Sequence, residues 1–238
     1  SEQIKDNLIN LTFNIQESEK FYVEKINIFG NNITREEVIR NYLFVDEGDA
    51  FNDLLHKKSI NSIKSLNLFG EVKSEILTGG ADGQKIINIT IDEKSTGEIS
   101  AGAGVGTNGG SVGFGVKENN FLGRGIKFGT NFLISEEAIR GIVSLNNPNY
   151  QGTNRSLNLS AESTVTDRLK NFGYKSNKTG FSIGSGFEYY DDLFLNTGVS
   201  LYVEKLETDS SASANIKKQD GSYFDTFFNY TFDYDKRN

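Results

Sequence analysis

From Glu98 onward the chain obeys one rule: apolar residues alternate with small or polar ones, segment after segment. Only an extended strand, whose side chains point to opposite faces in turn, converts a period of two into two distinct surfaces. In "EISAGAGVG", Ile99, Ala101, Ala103 and Val105 stand against Glu98, Ser100, Gly102, Gly104 and Gly106. Val112, Phe114 and Val116 oppose Gly113, Gly115 and Lys117, and Ile126, Phe128, Phe132 and Ile134 oppose Lys127, Gly129 and Asn131. The scheme returns in "RSLNLSAESTV", "GFSIGSGFEY" and "LFLNTGVSLYVEK", and closes with Phe224, Phe228, Tyr230, Phe232 and Tyr234. Over the whole stretch about eight strands are expected.

A soluble sandwich alternates as well, so three further features decide for a membrane. The strands read as about ten residues long, which suits a tilted membrane strand. One face carries small and charged residues, Lys127, Arg140, Glu162 and Glu188 among them, as a wet lumen allows. Phe121, Tyr150, Tyr189 and Tyr190 collect near turns, where an interfacial girdle of aromatics belongs. Connections after the even strands ("NNFLGR", "NPNYQGTN", "YDD") are short, whereas "DRLKNFGYKSN" and "ETDSSASANIKKQDGS" read as long loops. Short periplasmic turns opposite longer extracellular loops mark outer-membrane barrels.

"GVGTNG" (Gly104 to Gly109) matches the glycine spacing of a dinucleotide-binding loop. That loop needs a helix opening at its third glycine, and here a second alternating strand follows. The glycines are read as strand glycines that leave lumen space, permit bending and weaken packing.

Composition narrows the classes. With 238 residues and 36% hydrophobic content, one or two domains are expected. There is no Cys, hence no disulfide framework or thiolate metal site. There is no Met, and Ser1 begins no signal-peptide pattern, so the chain is read as a mature or internal segment. A net charge of −7 argues against nucleic acid as a partner. No run approaches the roughly 20 apolar residues of a helical span, which says nothing of strands.

Before about residue 95 strands and helices alternate. "LINLTFNI" (Leu8 to Ile15) and "FYVEKINIFG" have strand periodicity. Thr34 with Glu37 forms a capping-box pattern before Val38, Ile39, Tyr42 and Leu43. Asn52 is the expected cap of a second helix with Leu55, Ser59, Ile63 and Leu66 on one stripe. Asn67 closes it, a strand starts with Val72, Ser74 and Ile76, and Ile87, Ile89 and Ile91 alternate in the last strand. "FYVEKINIFGNNITREEVIRNYL", "SLNLFGEV" and "IINITIDEK" resemble a polypeptide-transport-associated (POTRA) domain, with Asn67 where many relatives have Gly. The resulting division is 1–19 as the end of a preceding POTRA repeat, 20–95 as an α+β POTRA domain (β-α-α-β-β), and 96–238 as the N-terminal part of an antiparallel transmembrane β-barrel.

"STGEISAGAGVGTNGGSVGFGVKENNFLGRG", "LNNPNY" and "FNYTFDYDKRN", in that order after such a domain, are similar to the BamA family of outer-membrane assembly proteins. The resemblance implies a sixteen-strand barrel whose first strand closes loosely on the last, and insertion of other barrel proteins at that seam. The implied partners are unfolded outer-membrane proteins, periplasmic assembly lipoproteins and outer-membrane lipids, in a bacterial outer membrane with the POTRA domain in the periplasm. The seam strand is Glu98, Ile99, Ser100, Gly102, Gly104 and Gly106, and the client-docking POTRA edge is Glu71, Lys73 and Glu75. About half of the family's strands are present and its later lumen-loop motif is not, so these residues alone are expected not to close a competent barrel. A two-partner secretion pore and a structural or adhesive barrel remain alternatives.

Other polar residues have ordinary readings. His56 has no second His and no Cys, and is expected exposed or packed. Glu136 with Glu137, and Asp191 with Asp192, are expected in turns as solvated charge, and "NIT" at Asn88 to Thr90 as incidental. No nucleophile has a base beside it, so the chain is read as a non-enzyme without cofactor or metal.

Overall fold

The computed structural model describes residues 2–5, 8–11, 19–106 and 109–236. Strands β1 (Glu2–Lys5) and β2 (Leu8–Leu11) form an antiparallel pair. The rest of the strand expected to reach Ile15 lies outside the described residues.

The α+β unit runs β3 (Tyr22–Phe29), α1 (Glu36–Arg40), α2 (Asp53–Ser65), β4 (Phe69–Thr78) and β5 (Gln84–Glu93). Its sheet has the order β3-β5-β4, with β3 parallel and β4 antiparallel to the central strand. Ile87, Ile89 and Ile91 of β5 point into the core, where they meet Val23 and Ile26 of β3, Ile39 of α1 and Ile63 of α2. Each such buried aliphatic side chain contributes about 1.5–3 kcal/mol. At the start of α2 the Asn52 side chain accepts from the Leu54 and Leu55 amides at 2.9 and 3.2 Å, the expected cap. Asn67 takes φ 57°, the left-handed turn that follows α2.

Three details differ from the sequence reading. No capping box forms at Thr34: the N-cap of α1 is Arg35 without a side-chain bond, because the Thr34 hydroxyl is engaged elsewhere. The buried stripe of α2 is His56, Ser59, Ile60 and Ile63, and Leu55 is turned outward. The His56 ring bonds Ser74 Oγ of β4 at 2.7 Å, which sets the rotation of the helix. Strand β4 begins at Phe69, earlier than Val72, since Phe69 already pairs with Glu93.

The second sheet has eight strands in consecutive antiparallel order: β6 (Gly97–Gly106), β7 (Gly109–Phe121), β8 (Ile126–Ser135), β9 (Ala138–Asn147), β10 (Ser156–Arg168), β11 (Tyr174–Tyr190), β12 (Leu193–Thr208) and β13 (Gly221–Tyr234). Among the described residues its two outer strands are β6 and β13. Register carries the alternation across the wall. Ala161, Phe181, Leu201 and Thr226 share one row of the outward face, and Ser160, Ser182, Ser200 and Phe227 one row of the inward face.

Strand length departs from the expected ten residues, because β11 has 17 and β12 has 16. Most of the loop expected over Asp167 to Asn177 is strand, closed by the single turn α3 (Leu169–Phe172). The loop 209–220, with α4 (Ala214–Lys217), folds back on that turn: Asp209 N donates to Gly173 O at 2.8 Å and Ala212 is buried. Glu137 is not simply solvated charge. Arg168 Nε and Asn171 Nδ2 donate to its carboxylate at 2.9 and 3.0 Å, joining the turn after β8 to the β10–β11 hairpin.

Candidate functional site

Strand β6 is exposed along all ten residues and pairs on one flank only, with β7. Six of its ten cross-strand pairs contain a glycine, at Gly97, Gly115, Gly102 with Gly113, Gly104, Gly110 and Gly106 with Gly109. Between β10 and β11 only three of thirteen pairs do, at Gly186, Gly184 and Gly180. Cross-strand side-chain pairs contribute roughly 0.2–1 kcal/mol each, so the β6 ladder rests largely on backbone hydrogen bonds. Space separates the two sets of glycines further. A Cβ at Gly102 or Gly106 would meet nothing within 4 Å, whereas one at Gly180 would strike the Tyr202 ring at 2.1 Å and one at Gly129 would meet Ser144 Oγ at 3.0 Å. Crowding therefore explains Gly180 and Gly129, whereas nothing among the described residues crowds Gly102 and Gly106 of β6 or Gly110 of β7. The dinucleotide spacing at Gly104 to Gly109 falls on a strand-to-strand connection, with positions 107 and 108 outside the described residues.

Both outer strands of the α+β sheet have a free flank in principle, but β3 is already covered. Val23 N donates to Asp49 O at 2.9 Å, Gly48 N to Val23 O at 2.7 Å, and Phe51 N to Phe21 O at 2.7 Å. Ile26 N reaches Glu47 Oε1 at 3.0 Å, and Ile26 O accepts from Arg40 Nη2 at 2.9 Å. That leaves β4 as the open edge, and Glu71, Lys73 and Glu75 lie on it, the first two paired at 2.8 Å. A cleft of about 510 Å³ between β4 and α2 has His56, Ile60, Val72, Ser74 and Ile76 in its lining. Burial pushes the His56 pKa down, partly offset by Asp53, so the ring is neutral at neutral pH.

A third element was not read from the sequence: the joint between the two sheets. Asn120 Nδ2 donates to Thr34 Oγ1 at 2.8 Å with both residues buried, and Asn120 Oδ1 accepts from Gly125 N at 2.8 Å. Arg35 N donates to Gly123 O at 2.8 Å. Gly123 and Gly125 have φ of 70° and 64°, and a Cβ on them would lie 2.1 Å from Ile33 O and 2.9 Å from Val38 Cγ1. Only glycine serves there, for backbone conformation and for space. The residues between the sheets are gripped too: Asn119 N and Nδ2 both donate to Thr96 O, and Thr96 Oγ1 donates to Glu118. The Glu93 carboxylate accepts from the amides of Asn32, Ile33 and Thr34 at 3.0, 2.9 and 2.6 Å. Burial opposes its ionisation, but hydrogen bonds from Thr34, Ile33 and Asn32 outweigh that and hold its pKa below the ordinary glutamate value. The available signal was "FLGRG", with more glycine than a short turn needs.

On the inward face Tyr202 lies across Gly180, and its hydroxyl donates to Glu162 Oε1 at 2.9 Å while Arg140 Nη2 donates to Glu162 Oε2 at 2.9 Å. Lys178 sits 4.7 Å from the Tyr202 ring centre and 3.8 Å from Glu204. This network ties β9 to β12, and among the described residues no side-chain ion pair reaches β6.

A long antiparallel wall, small and polar inside and apolar outside, standing on an α+β unit at its short-turn side, is the build of an outer-membrane barrel with a periplasmic module. Residues 120–238 match the Omp85 superfamily domain, and residues 21–94 match the POTRA model described as a surface antigen variable number repeat. The outer membrane protein assembly factor BamA of Neorickettsia risticii is 27% identical over 223 residues, covering 90% of this chain and 29% of that protein. Among solved structures, BamA from Haemophilus ducreyi lacking POTRA domains 1–3 superposes with a TM-score of 0.73 at 22% identity, covering 98% of this chain and 47% of that one. CdiB from Escherichia coli gives 0.54 at 13% identity, over 90% of this chain and 41% of that one. The chain belongs to the Omp85 superfamily and spans less than half the length of these relatives. It is an outer-membrane protein whose POTRA unit stands in the periplasm.

Proposed function

We propose that this protein assembles and inserts β-barrel proteins in the outer membrane, receiving unfolded clients along β4 and releasing them into the bilayer at β6. The observation that carries the reading is the make-up of the β6–β7 ladder, in which six of ten neighbour pairs contain a glycine and which no side-chain ion pair among the described residues reaches. Such a ladder rests on backbone hydrogen bonds, so few side-chain contacts resist its displacement by an incoming strand. The flank of β4 supplies the same chemistry in the periplasm, where an extended client adds as a further strand beside Glu71, Lys73 and Glu75. The work is done by backbone hydrogen bonding, and no catalytic residue or cofactor is assigned. Periplasmic assembly lipoproteins and membrane lipids are the accompanying partners.

The test uses the full-length protein. A disulfide from Gly102→Cys to a cysteine on the strand closing against β6 is expected to stop client insertion when oxidised and release it when reduced. Insertion that continues at the reduced rate while the seam is locked excludes strand opening as the mechanism. Photoreactive residues at Lys73 and Glu75 are expected to trap unfolded barrel clients, and a clean result at both, with normal expression, removes β4 as the receiving edge. Clients released beyond the membrane instead of within it identify a secretion pore.

A further inference from the structure

Where α1 meets the β7–β8 and β9–β10 turns, an open cleft of about 560 Å³ is lined by Arg35, Glu37, Arg124, Ile126, Asn149 and Tyr150 among others. We propose that this cleft binds the phosphate-bearing head group of a glycerophospholipid from the periplasmic leaflet. The inference rests on the membrane placement of the sheet and not on the client path.

Charge comes first. Arg35 and Glu37 are paired at 3.7 Å, both largely exposed, while the guanidinium of Arg124 has no ion-pair or hydrogen-bond partner among the described residues. Two guanidinium groups and one carboxylate leave one positive charge uncompensated in the cleft. A guanidinium presents its N–H groups as a planar fork that fits two phosphate oxygens at once. The side-chain oxygen of Asn149 already accepts from Asn154 N at 2.8 Å, which leaves its amide hydrogens for a ligand oxygen. Glu37 supplies a carboxylate for an ammonium group, so the cleft suits a head group carrying both charges.

Position comes second. Ile126 starts β8 in the same outward register as Phe128, and Phe128 stacks on Phe121 with centroids 5.2 Å apart. The cleft therefore opens where the apolar outer wall begins, so acyl chains can run up that wall from a head group held below. Tyr150, half exposed at the same level, has the amphipathic side chain enriched at a membrane interface.

The experiment measures lipid retained by the purified full-length protein, by native mass spectrometry in detergent, with phosphatidylethanolamine, phosphatidylglycerol and inorganic phosphate as separate probes. Arg124→Gln is expected to lower retention of both lipids about tenfold, the scale of one charge-assisted interaction. Arg124→Lys, which keeps the charge and loses the fork, falls between, and Lys127→Gln, removing a cation from the inward face, leaves retention unchanged. Glu37→Gln is expected to lower phosphatidylethanolamine and raise phosphatidylglycerol. Wild-type retention by Arg124→Gln, or complete displacement of lipid by inorganic phosphate, overturns the proposal. Heat-modified mobility in gels confirms that each variant is folded, and no client is present in the assay.

Discussion

Asn120 of the membrane sheet and Thr34 of the periplasmic unit share a buried hydrogen bond of 2.8 Å, 86 residues apart in sequence. The joint is thus a packed polar contact and not a loose tether. Replacing Asn120 by Ala removes the donor to the Thr34 hydroxyl and the acceptor of the Gly125 amide, a cost of about 1–3 kcal/mol for a buried group left unpaired. Spin labels on α2 and on β8 are expected to report one narrow distance in the native protein and a broadened one in Asn120→Ala. Gly123→Ala, whose Cβ would sit 2.1 Å from Ile33 O, is expected to shift the distance outright.

The His56 ring gives the periplasmic unit a defined response to pH. Its folded pKa lies below the ordinary 6.5, so the unfolded chain takes up a proton first as pH falls. The stabilisation is complete above pH 6.5 and declines as pH drops through that value towards the folded pKa. Denaturant titration of this unit is expected to give a lower stability at pH 5.5 than at pH 7.5, with His56→Gln flattening the difference. Glu93 acts lower on the scale, since its depressed pKa keeps the joint's capping carboxylate ionised until the medium is more acid than the ordinary 4.5.

Much of this fold is legible in the sequence because one face of each element is buried or meets lipid. Ile87, Ile89 and Ile91 mark β5, and the alternations quoted from Ile99 to Tyr234 mark every wall strand but β9. Strand ends were lost where that contrast ends: outward Asp167, Lys175, Asn177, Lys205 and Glu207 are polar, so the upper parts of β10 to β12 look like loop. Thr34 was misleading for a different reason. A threonine three residues before a glutamate satisfies a local capping pattern, and nothing in the spacing reveals that its hydroxyl belongs to Asn120. The β4 edge was legible only as a resemblance, since covering β3 depends on how residues 47–51 fold back.

Gly180 and Tyr202 make the inward network sensitive to a single methyl group. A Cβ at position 180 overlaps the tyrosine ring, so Gly180→Ala is expected to expel Tyr202 and break its bond to Glu162. Loss of one such hydrogen bond costs about 1 kcal/mol. Thermal unfolding followed by gel mobility should show Gly180→Ala and Tyr202→Phe both less stable than the native protein, and the double variant no worse than Gly180→Ala alone.

Client strands meeting β6 directly are the central claim, and site-specific photocrosslinking during insertion tests it. Photoreactive residues at Ser100 and Gly102 of β6, and at Ser160 and Ser182 of the inner strands as controls, are placed in the full-length protein while a barrel client is being assembled. Adducts to client strands are expected at Ser100 and Gly102, rising and then vanishing as the client completes, with none at Ser160 or Ser182. Client adducts at equal yield from all four positions, or none from β6 while insertion proceeds normally, would contradict it.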